Sequence, residues 1–244
     1  MNERATESWV QRHPATPEAG AAAAVLVYAY LIVRVVPPAA YVPVNLAVGT
    51  AAILLAHTVG TSWDGLGLAR ARLGSGLRVG LVCTLLIAMV VGVAIAIPFS
   101  RQFFVEARFA KLGVTGVVYE VLVRIPFGTA LSEELIFRGA LLGLFLRRRS
   151  FLKAALLSSL VFGFWHVMPA LGSLRSDAAG KFLSSTPALV GGVIATVIAT
   201  GAAGLVFCWL RRRSGSVLAP VIAHAALNGV AVVGGLVVVH LLGG

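Results

Sequence analysis

Seven long apolar runs divide the chain, at about residues 20–36, 41–60, 77–98, 114–146, 151–170, 187–210 and 216–242. Roughly twenty such residues suffice for a helix to cross the hydrocarbon core of a bilayer. The chain is 59% hydrophobic and only 12% charged, whereas ordinary soluble domains carry about 25% charge. The expected fold is therefore all-α, a polytopic transmembrane bundle of seven spans. Eight is the alternative, if Gly229 and Gly234-Gly235 split the last run. Residues 1–19 read as a polar tail and 20–244 as one integral membrane domain, with no room for a large soluble module. The polar lead is too long and the first run too extended for a typical signal peptide, so that run is expected to be an uncleaved anchor. Pro37-Pro38 then turns the chain.

The net charge of +11 comes from Lys and Arg clusters that flank the apolar runs. That distribution sets topology and meets anionic lipid; it lacks the aromatic interleaving of a nucleic-acid face. With seven spans, the tail, 61–78, 147–153 and 211–213 share one side and hold 12 Lys or Arg, against 6 on the other. Positive-inside then places the N-terminus in the cytoplasm. The Ala-, Gly-, Arg- and Val-rich composition suggests a bacterial plasma membrane. Cys83 and Cys208 fall in separate apolar runs and read as reduced core residues. Residues 99–113, with Phe103, Phe104 and Phe109 among charges, suggest a short amphipathic surface piece. Residues 171–186 read as a polar loop.

The fourth run is too long for one straight span and contains charge. Pro126-Phe127-Gly128 offers a kink or break. Glu120 and Arg124, before it, are four apart and read as a local ion pair near the interface. After it come Glu133, Glu134 and Arg138. Each charge at the centre of a span costs roughly 2.5–3.5 kcal/mol if it stands alone. Helix geometry offers relief: Glu134 and Arg138 stack on one face and can pair. Glu133 points about 100° away and is left to face something else. One reading is an ion-pair staple that only fixes packing. The other makes Glu133 the working group and Glu134–Arg138 its holder, since intramembrane ionisable residues are functional candidates.

Two further polar clusters lie in other runs: His166, four residues after Phe162, and the pair His224 and Asn228, which share a helix face. A carboxylate, two imidazoles and a carboxamide from three helices are the groups a buried hydrolytic site needs. The carboxylate takes a proton from water, an imidazole relays it, and Asn or His donates to an oxyanion. Other chemistries lack their residues. There is no His-Glu-x-x-His, no Gly-x-Ser-x-Gly and no Walker loop. Asp64 and Asp177 both lie in polar loops, so no aspartyl dyad is available.

Glu-Glu-x-x-x-Arg (133, 134, 138), Phe-x-x-x-His (162, 166) and His-x-x-x-Asn (224, 228), in that order, resemble the CPBP (Abi) family. These are the type II CAAX prenyl proteases and their bacteriocin-processing and self-immunity relatives. The resemblance covers about residues 60–242, with a motif core at about 114–242. It implies an intramembrane endopeptidase in which Glu133 and His166 activate water and His224 and Asn228 stabilise the oxyanion. Glu134, Arg138 and Phe162 would support the site. It implies no cofactor; zinc held by Glu133, His166 and His224 is the alternative, because members have also been described as metalloproteases. The expected partners are membrane lipids and a protein or peptide substrate, lipid-modified or membrane-embedded, and no nucleic acid. Two competing readings remain: a non-catalytic immunity or scaffold protein, and a secondary transporter with Glu133 and the histidines as a proton relay. The transporter would call for an inverted repeat, and none is visible.

Overall fold

In the computed structural model, which describes residues 16–103, 113–176 and 185–241, every apolar run is helical and no strand occurs among the described residues. The helices are α1 (Thr16–Arg34), α2 (Tyr41–Thr58), α3 (Leu73–Ala96), α4 (Val114–Leu146), α5 (Phe151–Trp165), α6 (Val167–Ser176), α7 (Thr186–Ser214) and α8 (Leu218–Leu241). Helices α5 and α6 together make one span, Phe151–Gly172, so seven segments are long and apolar enough to cross a membrane. The protein is an integral membrane helical bundle. The eight-span alternative fails, because α8 runs unbroken through Gly229, Gly234 and Gly235.

Some boundaries differ from the sequence expectation. Helix α1 begins at Thr16, which takes Glu18 out of the polar tail and into the helix, where it is buried and pairs with Arg149. Helix α3 begins at Leu73, so Arg78 lies within it. Helix α6 reaches Ser176, into the expected polar loop. Residues 1–15 of the tail, 104–112 of the amphipathic piece, and 177–184 with Asp177 lie outside the described residues.

Helix α4 is the centre of the bundle, and its sequence bends the rules of an ordinary helix. Pro126 has no N–H to give, and its ring crowds the carbonyl four residues back. The chain does not break there. Hydrogen bonding widens to the π pattern over Glu120–Leu131 and again over Leu135–Leu141, with Ser132–Glu134 between them in α geometry. Such wide turns are uncommon and concentrate at functional sites. They carry Glu133 and Glu134 between two segments that can rotate side chains away from a strict 3.6-residue register.

Around α4 stand α2, α8, α5 and α1. The tight approaches are made by glycines, as lipid-embedded packing favours. Gly49 of α2 lies so near α4 that a Cβ there would sit 3.1 Å from the Ser132 carbonyl oxygen. Helix α3 meets α8 through Gly76 and Gly80, and α5 meets α7 through Gly163. Within α7, Gly204 abuts Ser159 and Arg138, whereas Gly191 faces nothing within 4 Å. A Cβ at Gly80 would come within 2.7 Å of the Ile222 Cβ. Gly80→Leu is therefore expected to destabilise by about 1–3 kcal/mol through overpacking. Gly92→Leu, at a site with nothing within 4 Å, is the control. Thermal unfolding in detergent checks both, and equal melting of the two variants would contradict the α3–α8 seam.

One loop is clamped from the far end of the chain. Arg211 is 7% exposed, and its Nη2 donates to the carbonyls of Asp64 (2.9 Å) and Gly65 (3.1 Å). Gly67 has φ +75°, a conformation that favours glycine, and its carbonyl accepts from the Val217 N–H at 3.0 Å. The 61–69 loop is thus tied to the α7–α8 turn.

Candidate active site

The site grows from three helices. Helix α4 brings Glu133 and Glu134, the α5–α6 junction brings Trp165 and His166, and α8 brings His224 and Asn228. His166 ends α5 with φ −82° and ψ −2°, in the bridge region where many active-site residues sit.

Two adjacent compartments result. The first is a cavity of about 400 Å³ lined by Glu133, Trp165, His166, Pro169 and Asn228, and at its other end by Tyr41, Thr129, Glu120 and Arg124. Glu133 is 5% exposed. Its Oε1 accepts from the Trp165 indole N–H at 3.3 Å, while its Oε2 has no hydrogen-bond partner. A buried polar atom without a partner is rare and calls for an explanation. The His166 Nδ1 lies 2.8 Å from the Phe162 carbonyl oxygen. A carbonyl only accepts, so Nδ1 carries the proton and Nε2 keeps a lone pair. Asn228 lines the cavity with its carboxamide unbonded among the described residues.

The second compartment is a closed charge network. Glu134 and Arg138 are both fully buried and pair at 3.1 Å. The His224 Nδ1 lies 2.9 Å from the same Glu134 oxygen. The carboxylate is an acceptor, so it holds the proton on Nδ1. The Arg138 guanidinium lies 4.1 Å over the Phe162 ring and 5.1 Å over Phe207, which replaces part of its lost hydration by cation–π contact. The His224 ring stacks on Phe207 at 5.0 Å and meets the edge of Phe162 at 6.2 Å. Phe162 also meets the His166 ring edge-on at 4.6 Å. Its ring thus touches one histidine from each compartment.

Glu133, His166 and Asn228 therefore share one cavity. His224 does not line it; it lies in the network behind, with Glu134, Arg138 and Phe162. Three residues escaped the sequence reading. Trp165 is the partner of Glu133, and only its place beside His166 hinted at it. Glu120 and Arg124 do pair, at 3.0 Å, but they line the same cavity as Glu133. Arg124 lies 4.4 Å over the Tyr41 ring, and the Tyr41 hydroxyl is 3.3 Å from the Thr129 Oγ1.

A zinc ion would need three or four N, O or S donors converging on one point. Among the described residues no three His, Cys, Asp or Glu side chains are grouped in that way. Glu133 and His166 line the cavity, but His224 has its Nδ1 engaged by Glu134 behind Phe162.

The family model of type II CAAX prenyl endopeptidase, Rce1-like, matches residues 115–230. No curated protein and no solved structure matches significantly. The matched stretch begins at the second residue of α4 and ends within α8, and contains Glu120, Arg124, Glu133, Glu134, Arg138, Phe162, Trp165, His166, His224 and Asn228. Residues 115–230 are thus similar to the Rce1-like type II CAAX prenyl endopeptidase family, and the described chain has seven segments long and apolar enough to cross a membrane.

Proposed function

We propose that the protein is a metal-free intramembrane endopeptidase of the glutamate type. The observation that carries the proposal is the Glu133 carboxylate: one oxygen is held by Trp165, and the other is buried, unpartnered and at the wall of a cavity. A water seated there would donate to Oε2. Glu133 takes its proton as the oxygen attacks a peptide carbonyl. The His166 Nε2, bare in the tautomer fixed by the Phe162 carbonyl, shares that proton and delivers it to the leaving amine. The carbonyl oxygen becomes an oxyanion, and the Asn228 amide N–H groups, at the cavity wall, donate to it. His224 adds a donor at Nε2 only as imidazolium, since its Nδ1–H is already committed to Glu134. The substrate is a peptide reached from within the membrane, lipid-modified or membrane-embedded.

The test is hydrolysis of a membrane-presented peptide by purified protein before and after strong chelation. Full retention of activity, with less than stoichiometric zinc by metal analysis, is expected. Loss on chelation with recovery on added zinc would promote the metalloprotease alternative. Topology is checked separately: we place the chain in a bacterial plasma membrane with a cytoplasmic N-terminus. Reporter fusions at residues 5, 150 and 213 should then all report cytoplasm. An external signal at 150 would overturn the orientation.

A further inference from the structure

A second cavity, of about 470 Å³, lies between α1, α2 and α4. Its walls are hydrocarbon: Ala21, Val25, Val48, Ala52, Leu141 and Leu144 are typical. The one polar side chain lining it among the described residues is Tyr28, whose hydroxyl is already spent on Asn45 at 2.8 Å. Ala24, Ala51 and Leu55 line it and are themselves exposed, so it opens sideways where the bilayer would be. Tyr28 also packs against Trp165, with ring centroids 5.7 Å apart. That contact forms a partition between this cleft and the cavity of Glu133.

One end of the cleft is strongly basic. It is formed by Pro17 and Gly20 at the start of α1, Val59 after α2, and Leu144 three residues before Arg147-Arg148-Arg149. The Arg147 guanidinium lies beside Gly60: a Cβ built there would be 3.5 Å from its Nη2. Arg149 is on the opposite side, paired with Glu18 next to Pro17. That pair is neutral. Arg147 and Arg148 are exposed and have no carboxylate partner among the described residues.

We propose that this cleft is a binding site for an anionic phospholipid. One acyl chain lies in the apolar cleft, and the phosphate rests on Arg147 and Arg148. Two independent features agree on the ligand. A dry apolar slot of this volume takes a chain-sized hydrophobic group. Unpaired guanidiniums between helices at the membrane edge seat an anionic headgroup, and the planar fork of Arg matches phosphate oxygens. The Tyr28–Trp165 partition separates the bound chain from the reacting centre. The proposal does not rest on the protease reading.

Native mass spectrometry of detergent-purified protein with equal amounts of phosphatidylglycerol and phosphatidylcholine of the same chains tests it. The wild type should keep phosphatidylglycerol at least tenfold over phosphatidylcholine. Replacing Arg147→Ala and Arg148→Ala together should erase the preference. Ala24→Phe and Ala51→Phe, each at an exposed position on the cleft mouth, should remove the adduct while melting as the wild type does. Two such variants are used so that misfolding of one does not decide the matter. Equal retention of both lipids by the wild type, or an adduct unchanged by filling the cleft, overturns the proposal. Displacement of phosphatidylglycerol by one equivalent of a prenylated peptide also overturns it, and assigns the cleft to the lipid chain of a substrate.

Discussion

Glu133→Gln is expected to lower the rate of peptide hydrolysis by about 10²–10⁴, the contribution of a positioned general base, while the protein melts as the wild type does. The two halves of that expectation come from different atoms. Glutamine keeps the shape of the side chain, and its amide oxygen still accepts from the Trp165 indole N–H, now at 3.3 Å from Glu133 Oε1. Packing is preserved. The other oxygen becomes an NH₂ group, which cannot take a proton from water. Since Glu133 Oε2 has no partner among the described residues, no hydrogen bond to any of them is broken by the change. The assay is single-turnover cleavage, beside a melting curve in detergent. Activity within tenfold of wild type would remove Glu133 from the chemistry and overturn the glutamate-type mechanism. A large loss of melting temperature would instead place Glu133 in the architecture.

How far the sequence alone reached depends on the range of the contact. The span count was legible because hydropathy is summed over some twenty residues and tolerates local error. The Glu134–Arg138 pair was legible because i and i+4 meet on a helix, and although Arg138 falls inside the second wide segment, Leu135–Leu141, the two still pair at 3.1 Å. Residues joined across helices were not. Nothing in the local pattern ties Trp165 to Glu133, 32 positions away. Arg211 sits in a run of three arginines that reads as a solvated, topology-setting cluster, yet it is buried against loop carbonyls 146 and 147 positions away. Arg212 and Arg213 keep the ordinary behaviour, and both are exposed. Glu120 and Arg124 were read as a pair near the interface, and they do pair. That the cavity of Glu133 extends as far as that pair follows from how α1, α2, α5, α6 and α8 close around α4, and no single run contains that information.

The buried network carries the second large effect, on stability. Glu134 and Arg138 have no exposure at all. Each was stripped of water to enter the bundle, and each is compensated by the other. Glu134→Ala or Arg138→Ala is therefore expected to destabilise by about 3–5 kcal/mol, because the partner is left as an uncompensated buried charge. For a chain of this size that corresponds to a drop in melting temperature of about 6–20 °C. The Arg138 change removes more than charge, since its guanidinium also fills the space between Phe162 and Phe207. Arg138→Met restores that volume and separates the two contributions. The double variant Glu134→Gln/Arg138→Met is the decisive one. It removes both charges, keeps both shapes, and leaves His224 a neutral acceptor at Glu134. It should melt closer to the wild type than either single variant does, so that the two changes together cost less than their sum. Additive losses would mean that the two charges are stabilised by separate surroundings rather than by each other, and the division between a working Glu133 and a holding Glu134–Arg138 pair would fall with that result.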